Sequence, residues 1–191
     1  MRPEDLRYDD KMKKYKKHYE VHPEVNQKGK IRHNVVYKGE YYRYDLDETQ
    51  LKKMKRTYIL LLAAASVIQI GMGLINNPGS RRFAVALPYV IGFLPLVYAW
   101  LGAVRIMTSP KKMSYVDYDK GCLRLKRSAI GALVCSLLTL LGELIFWFME
   151  RGEYSLYSEW LFLMGGLFLS LIFGGILRLQ RHFPCISEKK I

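Results

Sequence analysis

Four long apolar runs dominate the chain, and the polar residues are concentrated between them. The runs cover 57–75, 83–104, 128–149 and 160–177 and hold 19, 22, 22 and 18 residues. They contain a single charged residue, Glu143. Because each helical residue adds about 1.5 Å, about 20 apolar residues cross a hydrocarbon core about 30 Å thick. The pattern predicts an all-α membrane protein with four transmembrane helices in two antiparallel hairpins, which excludes a soluble enzyme.

Lys and Arg fall almost entirely on one side of the four predicted spans. The chain has 30 of them against 17 Asp and Glu, a formal net charge of +13. The basic segment 1–56 carries 16, the central loop 105–127 carries seven and the tail 178–191 carries four, whereas the opposite loops carry three. Basic residues in short loops stay on the cytoplasmic side. We therefore expect a cell-membrane protein in which both termini and the central loop are cytoplasmic.

The basic segment precedes the bundle 57–177, and it is predicted to have three parts. Residues 3–20 predict an amphipathic helix, residues 34–44 a short β-hairpin, and residues 47–56 the start of the first long helix, capped by Asp47. A basic helix with an aromatic stripe is typical of binding to anionic lipid head groups, although a solvated helix or a disordered tail fits the same pattern. The candidate membrane-surface residues are Lys11, Lys13, Lys14, Lys16, Lys17, Tyr15 and Tyr19.

The central loop resembles the first predicted hairpin in its residue pattern. Residues 115–125 predict a second short hairpin, because aromatic and apolar residues stand on both sides of a turn sequence that contains Gly121. The three cysteines, Cys122, Cys135 and Cys185, fall in this loop, in the third span and in the tail. None is expected on the oxidising side of the membrane, so no structural disulfide is predicted.

Small residues recur at every fourth position in the third and fourth spans. This spacing lets helix backbones approach closely in lipid, where packing drives association. We expect the third and fourth spans to pack along these two stripes, although glycine is also simply common in membrane helices. The candidate packing residues are Gly131, Cys135, Thr139, Gly166, Ser170 and Gly174.

Glu143 carries the strongest chemical signal in the spans. A charge in the hydrocarbon costs roughly 3 kcal/mol, and such residues usually face a bundle interior or water. Gln69 and Tyr89 lie at matching depths in the first and second spans. Together the three residues form a candidate polar layer. Two interpretations remain open: a proton- or cation-linked site in which Glu143 titrates, and a structural group that fixes helix pairing.

Motifs of catalysis, nucleotide binding, metal binding and haem attachment are absent from the sequence. We therefore assign no catalytic residue, metal site or cofactor, and we do not expect an enzyme. The leading hypothesis is an accessory or assembly subunit of a larger membrane complex that acts through its basic cytoplasmic face. The alternative is a small oligomeric proton- or cation-linked transporter or channel that uses the Glu143 layer. The expected partners are the lipid bilayer with its anionic head groups and a protein or second copy in the membrane, but not nucleic acid.

Overall fold

A computed structural model describes residues 15, 18–25, 31–149, 156–183 and 185–188. In this part of the chain, four helices are long and apolar enough to cross a membrane, and they lie at the four predicted runs. The prediction of a multi-pass helical membrane protein is confirmed at this level.

The helices are longer than the apolar runs because polar residues continue them past the hydrocarbon. In chain order they are α1 (Glu48–Leu74), α2 (Phe83–Ile91), α3 (Phe93–Thr108), α4 (Tyr115–Tyr118), α5 (Arg124–Met149) and α6 (Leu156–His182). Helices α2 and α3 form one spanning segment, and α4 continues into α5 through a π-helical turn at Asp119–Leu123.

In the described part of the chain, five short strands accompany the helices. They are β1 (Tyr19–Val25), β2 (Ile31–Tyr37), β3 (Tyr41–Tyr44), β4 (Lys112–Ser114) and β5 (Cys185–Glu188). Strand β3 is the centre of an antiparallel sheet with β4 and β5 on its two sides. We call this end of the bundle the sheet end. The opposite end, where α1 connects to α2 and α5 to α6, is the loop end.

Helix α1 begins where its cap residues satisfy the first turn. The backbone N–H of Asp47 donates to Gln50 Oε1 at 3.4 Å, and the Thr49 hydroxyl donates to the Asp47 carboxylate at 2.8 Å. The Thr49 hydrogen bond holds the pKa of Asp47 below its usual value. The carboxylate therefore stays ionised, which is favourable beside the positive end of a helix dipole.

The second spanning segment is interrupted at Gly92, where α2 meets α3. Pro88 lies inside α2 and has no N–H, so the carbonyl of Ala84 loses its partner one turn earlier. Helix α5 approaches closely at Ala84, because a Cβ added to Gly142 would lie 2.9 Å from the Ala84 carbonyl oxygen. Only glycine fits at this contact.

The helices pack as a closed group of four spanning segments. Helix α1 contacts α3 and α6, and α5 contacts α2, α3 and α6. A second close approach lies nearer the sheet end, where a Cβ on Gly102 of α3 would lie 2.8 Å from the backbone nitrogen of Leu125. Helix α5 therefore packs against the second spanning segment at two glycine contacts, one towards each end.

The hairpin predicted over 34–44 does not form. Strand β2 pairs instead with β1, in a register that sets Tyr19 opposite Tyr37, and β3 pairs with β4 and β5. The turn sequence Lys38-Gly39 does separate two strands, but β2 pairs with the strand before it and β3 pairs with strands far along the chain. The helix predicted over 3–20 also conflicts with β1, which includes residues 19 and 20. Residues 3–14, 16 and 17 lie outside the described residues.

The second predicted hairpin, over 115–125, is helical. Ser114 caps α4 by accepting a hydrogen bond from the backbone N–H of Asp117, and the helix then continues to Met149. Gly121 serves close packing rather than a turn, because a Cβ there would lie 3.1 Å from the Ile106 side chain. The turn-like composition of this segment therefore reflects a cap and a helix contact.

A glycine at a helix contact and a glycine with open space around it should respond differently to substitution by alanine. Gly142→Ala should lower the free energy of unfolding by about 1–3 kcal/mol, because the new methyl group overpacks the contact with Ala84. Gly174→Ala is the control, since nothing lies within 4 Å of its Cβ position and it should be neutral or slightly stabilising. Thermal unfolding of both variants in detergent micelles measures the difference. Equal behaviour of the two variants would contradict the close approach of α5 to α2.

Candidate functional site

Glu143 is buried at the loop end and binds a side chain from the connection between α1 and α2. The carboxylate is 1% exposed, and its Oε1 accepts a hydrogen bond from Asn77 Nδ2 at 2.5 Å. Asn77 is also 1% exposed, and its Oδ1 accepts from the backbone N–H of Gly79 at 3.0 Å. A Cβ on Gly79 would lie 2.5 Å from Glu143 Oε2. A side chain at position 79 would therefore displace the carboxylate.

A second buried carboxylate lies near the first. Glu159, in the first turn of α6, is 4% exposed, and its charge acts on that of Glu143. Glu143 Oε2 and Glu159 Oε1 have no hydrogen-bond partner among the described residues. The loop end thus holds two buried acidic side chains, each with one unsatisfied oxygen. We call Glu143, Glu159 and Asn77 the loop-end acidic site.

Gln69 and Tyr89, the other members of the predicted polar layer, bind each other. Gln69 Nε2 donates to the Tyr89 carbonyl at 3.0 Å, and the Tyr89 hydroxyl donates to the Gln69 carbonyl at 2.6 Å. This reciprocal pair joins α1 to α2. Glu143 is hydrogen-bonded to Asn77 instead. The three residues therefore form two separate contacts, Gln69 with Tyr89 and Glu143 with Asn77, rather than one connected layer. Depth along each helix does not determine which face a side chain occupies.

The predicted packing stripes are used only in part. Ser170 of α6 is 2.9 Å from Ser136 of α5, oxygen to oxygen, and a Cβ on Gly166 would lie 2.8 Å from Leu140 of α5. Those two stripe positions of α6 do face α5. The bonding partner is Ser136, which the stripe Gly131, Cys135, Thr139 did not include.

The remaining stripe positions lie elsewhere. A Cβ on Gly131 would be nearest to Pro95 of α3, at 3.4 Å, and Gly174 has no neighbour within 4 Å of its Cβ position. Thr139 donates to the Cys135 carbonyl at 2.9 Å, a bond within α5 itself. Thr139, Cys135, Gln69, Tyr89 and Gly166 line an internal cavity of about 10 Å³. A cavity of this size has room for one water molecule at most.

The aromatic residues assigned to the membrane surface pack against protein. Tyr15 is 6% exposed, and its hydroxyl donates to Asp119 Oδ2 at 2.8 Å. The ring of Tyr19 packs edge to face on Tyr37, with 5.1 Å between centroids. The assignment of Tyr15 to a lipid contact is therefore wrong, because the π-helical turn offers a buried acceptor for its hydroxyl. Lys11, Lys13, Lys14, Lys16 and Lys17 lie outside the described residues.

Tyrosines from three segments join the parts of the sheet end. The Tyr42 and Tyr118 rings stack with 4.3 Å between centroids and 5° between planes. The Tyr37 hydroxyl accepts from the Tyr115 backbone N–H at 2.8 Å. Burial raises the pKa of the Tyr42 hydroxyl, and the Glu40 carboxylate adds to the shift, so this group stays neutral. We call the set the tyrosine cluster; it consists of Tyr37, Tyr41, Tyr42, Tyr115 and Tyr118.

No protein-family model, curated protein or solved structure matches the chain. The fold by itself is that of a multi-pass membrane protein with four apolar helices. Among the described residues, no group of three or more His, Cys, Asp or Glu side chains is arranged to hold a metal ion.

The hydrogen bond between Asn77 and Glu143 predicts a difference between two adjacent asparagines. Asn77→Ala should destabilise the fold by about 1–3 kcal/mol, because it leaves a buried carboxylate oxygen without its donor. Asn76→Ala should change stability by no more than about 0.5 kcal/mol, since Asn76 is exposed and its side chain accepts a hydrogen bond from the exposed Arg81. Chemical denaturation in micelles provides the comparison. Equal losses in the two variants would mean that the carboxylate does not depend on Asn77.

Proposed function

We propose that the protein is a non-enzymatic accessory or assembly subunit of a larger complex in the cell membrane. It acts through its sheet end, which faces the cytoplasm together with both termini. The partner presents an acidic surface there. The observation that supports this most directly is the construction of the sheet end from three segments far apart in the chain.

The sheet end is a folded surface rather than a set of loops. Strand β3 precedes α1, β4 follows α3 and β5 follows α6, yet all three form one sheet. Lys55 of α1 adds a contact by donating to the Ser109 carbonyl at 2.9 Å, and Arg105 forms an ion pair with Asp117. Ordering these segments has an entropic cost. Basic residues that served only to orient the spans in the membrane would not need these segments to be folded together.

The charge of the sheet end supports a partner with an acidic surface. Exposed basic side chains surround the sheet and the adjoining helix ends, and they attract acidic groups over about 10 Å at moderate salt. Positively charged residues near the spans also favour a cytoplasmic location. The exposed residues of this set include Lys52, Lys53, Arg56, Lys111, Lys126 and Arg127.

The interior of the bundle supports a role outside transport. The cavity between Gln69, Tyr89 and Thr139 is about 10 Å³, which does not provide a path for a hydrated ion. The outward surfaces of the helices are apolar, with residues such as Val67, Leu94 and Leu171 more than half exposed. These surfaces suit contact with lipid, with a partner helix or with a second copy of the chain.

Co-purification in mild detergent tests the accessory role. The triple change Lys52→Gln, Lys53→Gln and Lys111→Gln should reduce the recovery of the co-purifying partner roughly tenfold, because three charge contacts of about 0.5 kcal/mol each are lost. High salt should release the same partner from the unchanged protein. Arg81→Gln, at the loop end, is the control and should leave recovery unchanged. Persistence of the complex after the triple change would contradict binding through the basic sheet end.

The loop-end acidic site supports a second candidate function, a proton- or cation-linked transporter or channel. Its basis is a pair of oxygens, Glu143 Oε2 and Glu159 Oε1, that have no hydrogen-bond partner in the part of the chain that the structure describes, each in a side chain more than nine-tenths buried. Buried acidic residues in spans often belong to ion or proton pathways. A path through an assembly of several copies would be required, because the single bundle is closed.

Glu143→Gln separates the two functions. The substitution keeps the size and hydrogen-bonding capacity of the side chain but removes its charge and its titration. The accessory role predicts unchanged partner recovery and a neutral or slightly stabilising effect, since a costly charge is removed. The transport role predicts an intact fold but loss of proton or cation flux in proteoliposomes. Flux in the unchanged protein that disappears in Glu143→Gln would favour transport over the accessory role.

A further inference from the structure

Two of the three cysteines meet at the sheet end. Cys122 lies in the π-helical turn before α5, and Cys185 is the first residue of β5. Both side chains line one cavity, and each acts electrostatically on the other. The Tyr44 hydroxyl is 2.8 Å from Cys122 Sγ, and Tyr44 stands opposite Cys185 in the sheet. The sequence separation of 63 positions between the thiols gives no sign of this proximity.

The pair borders a cavity large enough for small reactants. The cavity measures about 170 Å³. Roughly five water molecules occupy that volume in the liquid, at about 30 Å³ each. Polar groups line it beside the two thiols. They are Tyr44, Tyr58, Tyr118, Lys126 and Gln180. A thiol in such a setting is open to water-borne reagents, unlike Cys135, which lies in the apolar part of α5.

The surroundings of Cys122 differ from those of an ordinary core cysteine. Gln180 Nε2 donates to the Cys122 carbonyl at 3.3 Å, and Gln180 Oε1 has no partner among the described residues. Lys55 is near enough for its charge to act on the Cys122 sulfur. A positive charge and hydrogen-bond donors stabilise the thiolate, which is the reactive form. The π-helical turn itself is a rare element that is often found at functional sites.

We propose that Cys122 and Cys185 form a reversible dithiol–disulfide site that a hydroperoxide oxidises. The proposal does not rest on the accessory role described above. It is carried by the cavity that both cysteines line, by Tyr44, which lies against Cys122 and opposite Cys185, and by the polar groups around Cys122.

The oxidation balances in two steps. First, the Cys122 thiolate attacks one oxygen of the hydroperoxide, an S–O bond forms, the O–O bond breaks, and the leaving alkoxide or hydroxide takes a proton. Cys122 becomes a sulfenic acid, and the hydroperoxide is reduced by two electrons to an alcohol or water. Second, the Cys185 sulfur attacks Cys122 Sγ, the S–S bond forms, the S–O bond breaks, and water leaves with the Cys185 proton.

The disulfide would join the C-terminal strand covalently to the start of α5. A reducing dithiol reverses the bond by thiol–disulfide exchange through a mixed disulfide. In a cytoplasmic setting, disulfides are transient and typical of redox sensing, which agrees with a pair that is free in its reduced form. Oxidation would therefore fix the position of β5 at the edge of the sheet.

Thiol counting on the full-length protein in nanodiscs tests the proposal. Hydrogen peroxide at low molar excess should remove two of the three thiols, without forming a covalent dimer on a non-reducing gel, and dithiothreitol should restore both. Peptide mapping without reduction should identify the bond between Cys122 and Cys185. Cys135→Ser should behave like the unchanged protein apart from its lost thiol, whereas Cys185→Ser should form no intramolecular disulfide. The proposal would be overturned if peroxide treatment left both thiols free, converted them to sulfinic acid or linked two chains.

Two phenylalanine variants test the part played by the Tyr44 hydroxyl. Tyr44→Phe removes the group next to Cys122 Sγ and should slow disulfide formation several-fold without abolishing it. Tyr118→Phe is the control, because Tyr118 lines the same cavity and stacks on Tyr42 through its ring. Its oxidation rate should equal that of the unchanged protein. Equal slowing in both variants would remove Tyr44 from the mechanism, and equal rates in all three proteins would do the same.

Discussion

The hydrocarbon core offers no water to a polar group, so every buried polar group in the bundle must find its partner within the chain. Glu143 is where this constraint is most severe, because a charged side chain in a span costs roughly 3 kcal/mol. Its partner, Asn77, comes from the connection between α1 and α2. One hydrogen bond therefore joins the first half of the chain to α5, and the Gly79 backbone completes the contact through Asn77. The loop end is closed around this carboxylate.

Close helix packing connects the loop end to the sheet end. Helix α5 approaches the second spanning segment at Gly142 and again at Gly102. Beyond the apolar runs, α1 and the helix that begins at Tyr115 continue as polar helices and support the sheet. The bundle thus carries a folded surface, built on the β4-β3-β5 sheet, at its sheet end. That arrangement suits a subunit that holds a partner better than one that moves a solute.

The sequence predicts the features that depend on local composition and misses those that depend on distant partners. The four spans follow from apolar length, and Asp47 marks the start of α1 because a cap is a local interaction. The strand pairings do not follow, since the turn sequence Lys38-Gly39 suggests that β2 pairs with β3, whereas β2 pairs with the preceding strand β1 and β3 pairs with the distant strands β4 and β5. The same limit applies to Asn77, whose sequence Asn76-Asn77-Pro78-Gly79 is typical of an exposed turn, although Asn77 is 1% exposed. Glu159 and Ser136 were missed because a predicted span boundary and a four-residue stripe excluded them.

The central claim is that the bond between Asn77 and Glu143 holds the loop end closed, and a double-mutant cycle tests it most directly. The free energies of unfolding of Asn77→Ala, Glu143→Met and the double variant are compared with that of the unchanged protein in the same micelles. If the two side chains depend on each other, the double variant should cost less than the sum of the single variants by at least about 1 kcal/mol. Additivity within about 0.5 kcal/mol would contradict the claim, because it would mean that the two residues stabilise the fold independently.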